Sequence, residues 1–455
     1  MNVRRLATTA SNSDSKFSRR RFLEAALGTA ALGSLASLPA CSSSSGQGGK
    51  MTIEVWVWET EQQWKEVEQR SGLNKQFPNV TFKWTALPID QLHQKALSAL
   101  GAGLAQGLPS IIRTSMPYYR AFVNTGSLMD VTDKVTPYQK DILPDVWQGA
   151  LVGNKVYQVP DDTGVQLFGY REDLFRQAGL PTQTDEVANL LKTYDDLLSV
   201  GHTIQQKTGA KLFNEQAGDT FNTLILQDST GFFDKDGNVI FDSDYHVEVA
   251  TLSKKIWDSG LTTHYTDNGP QMWQAYQSGQ LATQFYPNWQ DFEILSYAPA
   301  TKNKWIVTKL PAVMTGGRRA SAADGVCQTI PNVLPDEQKQ VALQVSMFLR
   351  LTKQATMAHM QVFSGAFVSY VPGLDAMTNV QSPVLDNQYT YKVFLDAANS
   401  EKILPWYRTS AFFNNAQEAV NNALYKILQQ NAPIKATLKS AADSIRQLQA
   451  SKNVK

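Results

Sequence analysis

The sequence is poor in several features that would indicate a particular class of protein. It has two cysteines in 455 residues, and its five histidines are scattered without the spacing of a zinc site. Lysine and arginine total 42 while aspartate and glutamate total 41, so the net charge is only +1. A chain so balanced gives no electrostatic reason to expect a nucleic acid or an anionic membrane as partner. We therefore predict no metal, no other cofactor and no nucleic-acid partner.

Familiar catalytic motifs are also missing. The chain has no G-x-S-x-G, no H-E-x-x-H and no P-loop. Gly101, Gly103 and Gly107 look like a dinucleotide fingerprint, but their spacing is wrong and they follow a predicted helix instead of preceding one. These absences favour a binding protein. A glycosidase needs only two carboxylates about 5 to 9 Å apart, so a surface glycoside-cleaving enzyme is the main enzymatic alternative.

The first forty residues have the order of a secretory signal, with a basic front, an apolar run and a small-residue site before Cys41. The apolar run, residues 25–40, is too short and too rich in alanine and glycine for a permanent transmembrane helix. The front, Ser18-Arg19-Arg20-Arg21-Phe22-Leu23, resembles a twin-arginine export signal, and Leu38-Pro39-Ala40-Cys41 resembles a bacterial lipobox.

These patterns predict an exported protein that is lipid-anchored to the cell membrane and faces the periplasm or the cell exterior. Residues 1–40 would be the signal peptide, Cys41 the lipidated residue, and residues 41–49 a flexible Ser/Gly tether. An ordinary secretory signal that happens to contain a cysteine is the alternative. With Cys41 lipidated, Cys327 has no disulfide partner and is predicted to be a small buried apolar residue.

The remaining chain of about 400 residues is long enough for two lobes. Residues 52–58 and 80–84 are β-rich and flank a polar helical stretch at 61–70, which predicts a βαβ unit and a parallel sheet. A helix from about 90 to 104 and a buried strand at 111–112 repeat this order. Further helices are predicted at 118–123, 172–177, 194–206, 247–258, 339–351, 416–429 and 434–448. We therefore predict an α/β protein with a helical C-terminal end.

Aromatic residues are abundant, with 10 tryptophans and 16 tyrosines. In an exported protein such a surplus suggests stacking on sugar rings, although core packing explains most tryptophans. Nine stretches carry a family pattern along nearly the whole mature chain. They are, in order, VWVWE from Val55, GLPSII from Gly107, GSLMDV from Gly126, GNKVYQVP from Gly153, YREDLFRQAGL from Tyr170, GQLA from Gly279, YPNW from Tyr286, ILPW from Ile403 and SAFF from Ser410.

In these stretches the chain resembles the extracellular solute-binding proteins of sugar ABC importers, in the group that contains maltose-binding protein. The resemblance implies a two-lobe periplasmic-binding-protein fold of type II, with the ligand cleft between lobes joined by a hinge. Lobe 1 would hold residues 50–160 and about 308–360, and lobe 2 about 161–307 and 361–455. Two departures affect the ligand: Ser110 replaces the usual aspartate, and Thr114 stands where maltose-binding protein has a tryptophan.

The resemblance further implies the substrate-binding component of a carbohydrate importer, a monomer that captures a mono- or oligosaccharide by hinge closure and delivers it to permease subunits. A binding protein that feeds a sensor kinase is the alternative within the same fold.

A pyranose has apolar faces and an equator of hydroxyls, so its site needs rings together with carboxylates and amides. In this fold such residues lie just after strands. The predicted ligand-binding residues are Trp58, Glu59, Thr60, Thr114, Tyr118, Asp161, Asp162, Trp289, Asp324, Gly325, Trp406 and Phe413, with Thr220, Phe221 and Gln227 as weaker candidates. The alternative for the tryptophans is core packing, and for Asp161 and Asp162 a solvated hinge turn.

Overall fold

A computed structural model of the chain describes residues 50–214, 219–403 and 410–452. The signal peptide, the tether with Cys41, and Trp406 lie outside the described residues. Within the described ranges, no helix combines the length and the hydropathy that a membrane crossing requires.

The described chain alternates strands and helices in its first half and is mostly helical in its last third. The strands are β1 Met51–Val57, β2 Val80–Ala86, β3 Ile111–Ser115, β4 Leu151–Val152, β5 Lys155–Val156, β6 Val159–Arg171, β7 Phe213–Asn214, β8 Thr262–Thr263, β9 Thr283–Pro287, β10 Trp305–Thr308 and β11 Ser321–Thr329. The helices are α1 Glu61–Ser71, α2 Leu73–Gln76, α3 Ile89–Gly101, α4 Met116–Asn124, α5 Thr132–Val135, α6 Pro144–Ala150, α7 Glu172–Gln177, α8 Thr184–Leu190, α9 Tyr194–Thr208, α10 Asp219–Asp228, α11 Asp244–Asp258, α12 Pro270–Gln277, α13 Gln290–Tyr297, α14 Asp336–Arg350, α15 Lys353–Val362, α16 Val371–Asp375, α17 Thr390–Glu401, α18 Phe413–Gln430 and α19 Ile434–Lys452, with 3-10 turns at Thr136–Asp141 and Pro299–Thr301.

Strands β1, β2 and β3 form the parallel part of the main sheet, as the βαβ pattern predicts. β1 pairs with β2 along its whole length and with β3 through Val55 and Trp56. Successive side chains of β1 point to opposite faces. Val55 therefore packs against one hydrophobic cluster, and Trp56 packs against another together with Leu92 and Phe122. Burial on both faces explains why this strand is almost continuously apolar.

The 13-residue strand β6 lies between β11 on one side and β9 and β10 on the other. Its first half pairs antiparallel with β11, and its second half pairs antiparallel with β9 and β10. The side chains of β6 enter three hydrophobic clusters, through Val159, Val165 and Phe168. This strand is thus common to cores that are otherwise built from separate parts of the chain. The predicted lobe boundaries stay a prediction.

β6 and β11 approach each other closely where β11 is irregular. The register shifts between Ala323 and Val326, so that Asp324 and Gly325 form a bulge. A Cβ atom at Gly164 of β6 would overlap the backbone oxygen of Asp324. Only glycine therefore allows the two backbones to pass at this distance.

Candidate ligand-binding site

A cleft of about 490 Å³ is lined by the ends of β9 and β11 and by residues of α10, α12 and α13. Its more apolar wall consists of Phe213, Leu226, Met272, Tyr276, Phe285, Pro287, Trp289 and Ala322. Its polar lining includes Gln166, Asn214, Asn222, Thr223, Asp267, Asn268, Gln284, Gln290, Glu293 and Asp324. Apolar rings beside carboxylates and amides are what an uncharged, hydroxyl-rich ligand requires.

Trp289 is held at this cleft by the residue before it. Asn288 is 2% exposed, its Oδ1 accepts the Val165 N–H of β6 at 2.8 Å, and its Nδ2 donates to the Gly365 carbonyl at 2.8 Å. Gly365 has a φ of +88°, and a Cβ atom there would overlap the Asn288 carbonyl oxygen. Two strands and a loop therefore fix the backbone from which the indole ring extends, which is the rigidity that a stacking surface needs.

Two amide oxygens of the cleft have no hydrogen-bond donor among the described residues. They are Oδ1 of Asn222, on α10, and Oε1 of Gln284, on β9. Buried polar atoms are nearly always hydrogen-bonded in folded proteins, so two unpaired acceptors in one cleft point to a ligand or water that donates to them. Ligand hydroxyls can do so.

A second polar group surrounds Arg113, which is 3% exposed in the middle of β3. Its Nη1 contacts Glu59, its Nη2 lies 3.1 Å from Oδ2 of Asp162, and its Nε lies 3.4 Å from Oδ2 of Asp161. The guanidinium carbon lies 4.4 Å from the ring centroid of Trp58, at the distance of a cation–π interaction. One arginine thus orients three predicted ligand-binding carboxylates and stacks on a predicted ring.

Arg350 and His359 complete this buried group. Arg350 Nη1 lies 2.8 Å from Oδ1 of Asp161, and His359 Nε2 lies 3.9 Å from Oδ2 of Asp162. Burial raises the pKa of Asp161 and of Asp162, and the two guanidiniums oppose that rise. Burial also lowers the pKa of Arg350 to about 10 and holds the pKa of His359 well below its usual value.

At pH 7 Arg350 is therefore charged and His359 is neutral. Asp161, Asp162 and His359 have the donor types of a metal site, and their ligand atoms lie within 4.8 Å of one another. The two guanidiniums already supply positive charge to the carboxylates, so a cation would have to displace them.

Asp324 connects the cleft with this group. It lines the cleft, and its Oδ2 accepts the Ser115 hydroxyl at 2.9 Å. Gly325 faces the Asp162 backbone, with a Cβ atom there falling 3.3 Å from the Asp162 carbonyl oxygen. Nearby, Tyr118 stacks on His93 with a centroid distance of 4.2 Å. The structure therefore brings together Trp58, Glu59, Tyr118, Asp161, Asp162, Asp324 and Gly325, and places Trp289 on the same cleft as Asp324.

Three predicted residues make other contacts. Thr60 is the N-cap of α1, with its Oγ1 accepting the Gln63 N–H. Thr114 does not follow β3 but lies within it, fully buried, with its hydroxyl 2.9 Å from that of Thr329. Phe413 is 4% exposed and stacks on Phe232 at 5.6 Å in the largest hydrophobic cluster. The surroundings of these three residues do not support a contact with ligand, and their ligand-binding role stays a prediction.

Arg113 is not among the residues predicted from the sequence, and the α10 residues that line the cleft are neighbours of the predicted ones. Phe221 is buried in the core, and Gln227 bonds to the carbonyls of Pro311 and Arg318. The residues of α10 that line the cleft are Asn222, Thr223 and Leu226. The sequence does contain a pattern that indicates a buried ion pair at Arg113, because a charged residue directly after two buried isoleucines requires a counter-ion.

Residues 58–334 match the family of bacterial extracellular solute-binding proteins. The chain is 25% identical over 333 residues to the arabinooligosaccharide-binding protein of Bacillus subtilis (strain 168), covering 70% of this chain and 73% of that protein. It is 25% identical over 317 residues to the lactose-binding protein of Rhizobium radiobacter, covering 67% and 69%. The solved structure of the GacH receptor of Streptomyces glaucescens superposes with a TM-score of 0.73 at 18% identity, covering 89% of this chain and 100% of the receptor.

The fold is that of the type II periplasmic binding proteins, with two lobes. The chain belongs to the bacterial extracellular solute-binding protein family, as its sequence resemblance predicts. This family consists of binding proteins, so the prediction that the chain is not an enzyme is confirmed and the glycoside-cleaving alternative is set aside.

Proposed function

We propose that this protein is the lipid-anchored, substrate-binding component of a carbohydrate ABC importer, and that it captures a mono- or oligosaccharide by closing its lobes. The observation that carries the proposal is the cleft, where the Trp289 and Tyr276 rings lie with the unpaired oxygens of Asn222 and Gln284. The names of the relatives support a sugar ligand, since two of them are an arabinooligosaccharide- and a lactose-binding protein.

The direct test is calorimetric titration of the purified protein with arabino-oligosaccharides, lactose and other neutral oligosaccharides. A bound sugar should be recovered intact by mass spectrometry. Small-angle scattering with and without a saturating sugar should show a smaller radius of gyration in the bound state, because a ligand that contacts both lobes favours the closed form. Failure of every sugar to bind would contradict the proposal.

Replacing Trp289 with alanine should weaken sugar binding by about 1 to 3 kcal/mol, roughly 5- to 150-fold, because a large stacking surface is lost. The measurement is the dissociation constant of the best sugar by titration calorimetry. Tyr425→Ala is the control, since Tyr425 is an aromatic residue on α18 that is 47% exposed and does not line the cleft. Equal affinities for the Trp289→Ala variant and the native protein would remove Trp289 from the site.

The anchor is proposed from the sequence pattern around Cys41, outside the described residues. Intact-mass analysis of the mature protein should give an N-terminal diacylglyceryl cysteine at position 41. Cys41→Ser should release the protein from the membrane fraction or leave it uncleaved, because serine cannot carry the thioether-linked diacylglyceryl group that supplies the hydrophobic attachment. An unmodified Cys41, or cleavage elsewhere, would contradict the lipoprotein proposal.

Delivery to permease subunits is the remaining part of the proposal, and a sensor kinase is the alternative recipient. Reconstitution with candidate permeases separates the two, because only a transport partner should hydrolyse ATP faster when the sugar-loaded protein is added.

A further inference from the structure

Carboxylates are concentrated in the cleft lining. Asp267 precedes α12, Glu293 lies on α13 one turn after Trp289, and Asp324 belongs to the β11 bulge. Asp267 and Glu293 line the same cleft, and burial, and second to it the negative charge of Asp267, raise the pKa of Glu293 to about 7. Among the described residues that line this cleft, none is a lysine or an arginine. The cleft therefore has a negative or neutral lining.

The unpaired polar atoms of the cleft indicate what a ligand must supply. Asn222 Oδ1 and Gln284 Oε1 can only accept hydrogen bonds, and the described residues provide no donor for either. Gln290 is 1% exposed and opposes the rise in the pKa of Glu293, but its Nε2 makes no hydrogen bond of normal geometry with the described residues. Of these three buried atoms, two are acceptors and one is a donor.

A carboxylate or phosphate group supplies acceptors only, so it would leave the amide oxygens unpaired and would bring a further negative charge close to Glu293 and Asp267. A neutral sugar hydroxyl donates to one acceptor and still accepts from a donor such as Gln290 Nε2. The same lining therefore favours hydroxyls and disfavours anionic groups.

We propose that Glu293, with Asp267 beside it, is a specificity-determining residue of this cleft, which admits uncharged sugars and rejects uronates and phosphorylated sugars. The inference rests on the proposed sugar-binding function and extends it by assigning the electrostatic class of the ligand to named residues. Glu293 would accept a ligand hydroxyl, and its charge would exclude an anionic group.

Titration calorimetry with matched probes tests this assignment. Arabinotriose, lactose and galactobiose are the neutral probes, and digalacturonate and lactose phosphate are the anionic ones. The native protein should bind the best neutral probe at least about tenfold more tightly than any anionic probe, since like charges in a desolvated site repel strongly. Glu293→Gln keeps the shape of the side chain and removes its charge, so this preference should fall several-fold. Glu248→Gln, at an exposed position of α11, should leave it unchanged.

The pH dependence of affinity gives a second measurement. Besides Gln290, the titratable groups around Glu293 are Asp267 and Asp324, which line the same cleft, and Tyr276 and Tyr286. Burial raises the pKa of both tyrosines, so neither titrates between pH 6 and pH 8. A hydroxyl that donates to Glu293 favours its carboxylate form, so a neutral sugar should bind more tightly at pH 8 than at pH 6. The Glu293→Gln variant should lose this pH dependence.

The outcomes separate the two proposals. If no sugar binds, the proposed function fails, and this inference fails with it. If sugars bind but digalacturonate binds as well, or if Glu293→Gln leaves both the preference and the pH profile unchanged, the inference is overturned while sugar binding stands. Asp267 is exposed, so Asp267→Asn should fold even if the Glu293 variant does not. It should lower the preference for neutral over anionic probes, as Glu293→Gln should.

Discussion

Arg113→Met should lower the free energy of unfolding by about 3 to 5 kcal/mol, the cost of breaking a buried ion pair from one side. The substitution leaves Glu59, Asp161 and Asp162 together with only Arg350 to balance them. Burial makes an unbalanced carboxylate expensive to keep charged. Urea denaturation at pH 7, with and without sugar, measures the loss.

Arg70→Met is the matched control for this result. Arg70 pairs with Glu66 one turn away on α1, where both side chains are more than 40% exposed. An exposed pair contributes about 0 to 1 kcal/mol, so this variant should unfold almost as the native protein does. In the double variant Arg113→Met/Asp161→Asn, part of the lost stability should return. If Arg113→Met and Arg70→Met unfold with equal free energies, the buried ion pairs of Arg113 contribute no more to stability than an exposed pair does.

Stability should fall by about 3 kcal/mol through His246 as the pH is lowered from about 7 to about 4. His246 is 1% exposed, and burial lowers its pKa to about 4. Its Nε2 donates to the Gly231 carbonyl at 2.9 Å, so its Nδ1 accepts the Ser243 hydroxyl at 2.7 Å. The folded protein therefore holds the neutral ring, whereas the unfolded chain takes up a proton near its ordinary pKa of about 6.5.

This difference in pKa between the folded and unfolded states decides how the free energy of unfolding changes with pH. Between pH 6.5 and 4 the unfolded state binds more protons than the folded state, so the free energy of unfolding decreases as the pH falls and stops changing through this group below about pH 4. Urea denaturation at pH 7.5, 6, 5 and 4 should show that slope, and His246→Gln should reduce it. His202→Gln, at an exposed position of α9, is the control. His359, which is also buried with a lowered pKa, contributes a slope of the same sign that both variants retain. An unchanged slope in His246→Gln would assign the acid sensitivity elsewhere.

Much of the fold could be predicted from the sequence because its signals are local. The parallel pairing of β1 with β2 follows from two apolar strands separated by one polar helix. The burial of Cys327 was also predicted correctly. The starts of α11 and α14 were placed three residues too late, because their first turns carry acidic residues that stabilise a helix N-terminus without showing apolar periodicity.

The site could be predicted only in part, since a cleft depends on contacts between distant parts of the chain. Residues after strands, such as Trp58 and Trp289, follow a rule that the sequence can supply. Asn222 and Gln284 lie in the interiors of α10 and β9, where nothing local distinguishes a cleft residue from a core residue. The extent of β3 to Ser115 likewise depends on pairing with β11, which runs more than 200 residues later in the chain.

The bulge at Asp324 and Gly325 has two roles in one place. It interrupts the pairing of β6 with β11, and Asp324 also lines the cleft. Under the proposed capture of sugar by lobe closure, a substitution at Asp324 should alter both the contact with sugar and the balance between the open and closed forms of the unliganded protein. The measured affinity is the product of these two quantities. Variants at Asp324 that are selected for a new sugar should therefore also differ from the native protein in the compactness of their unliganded form.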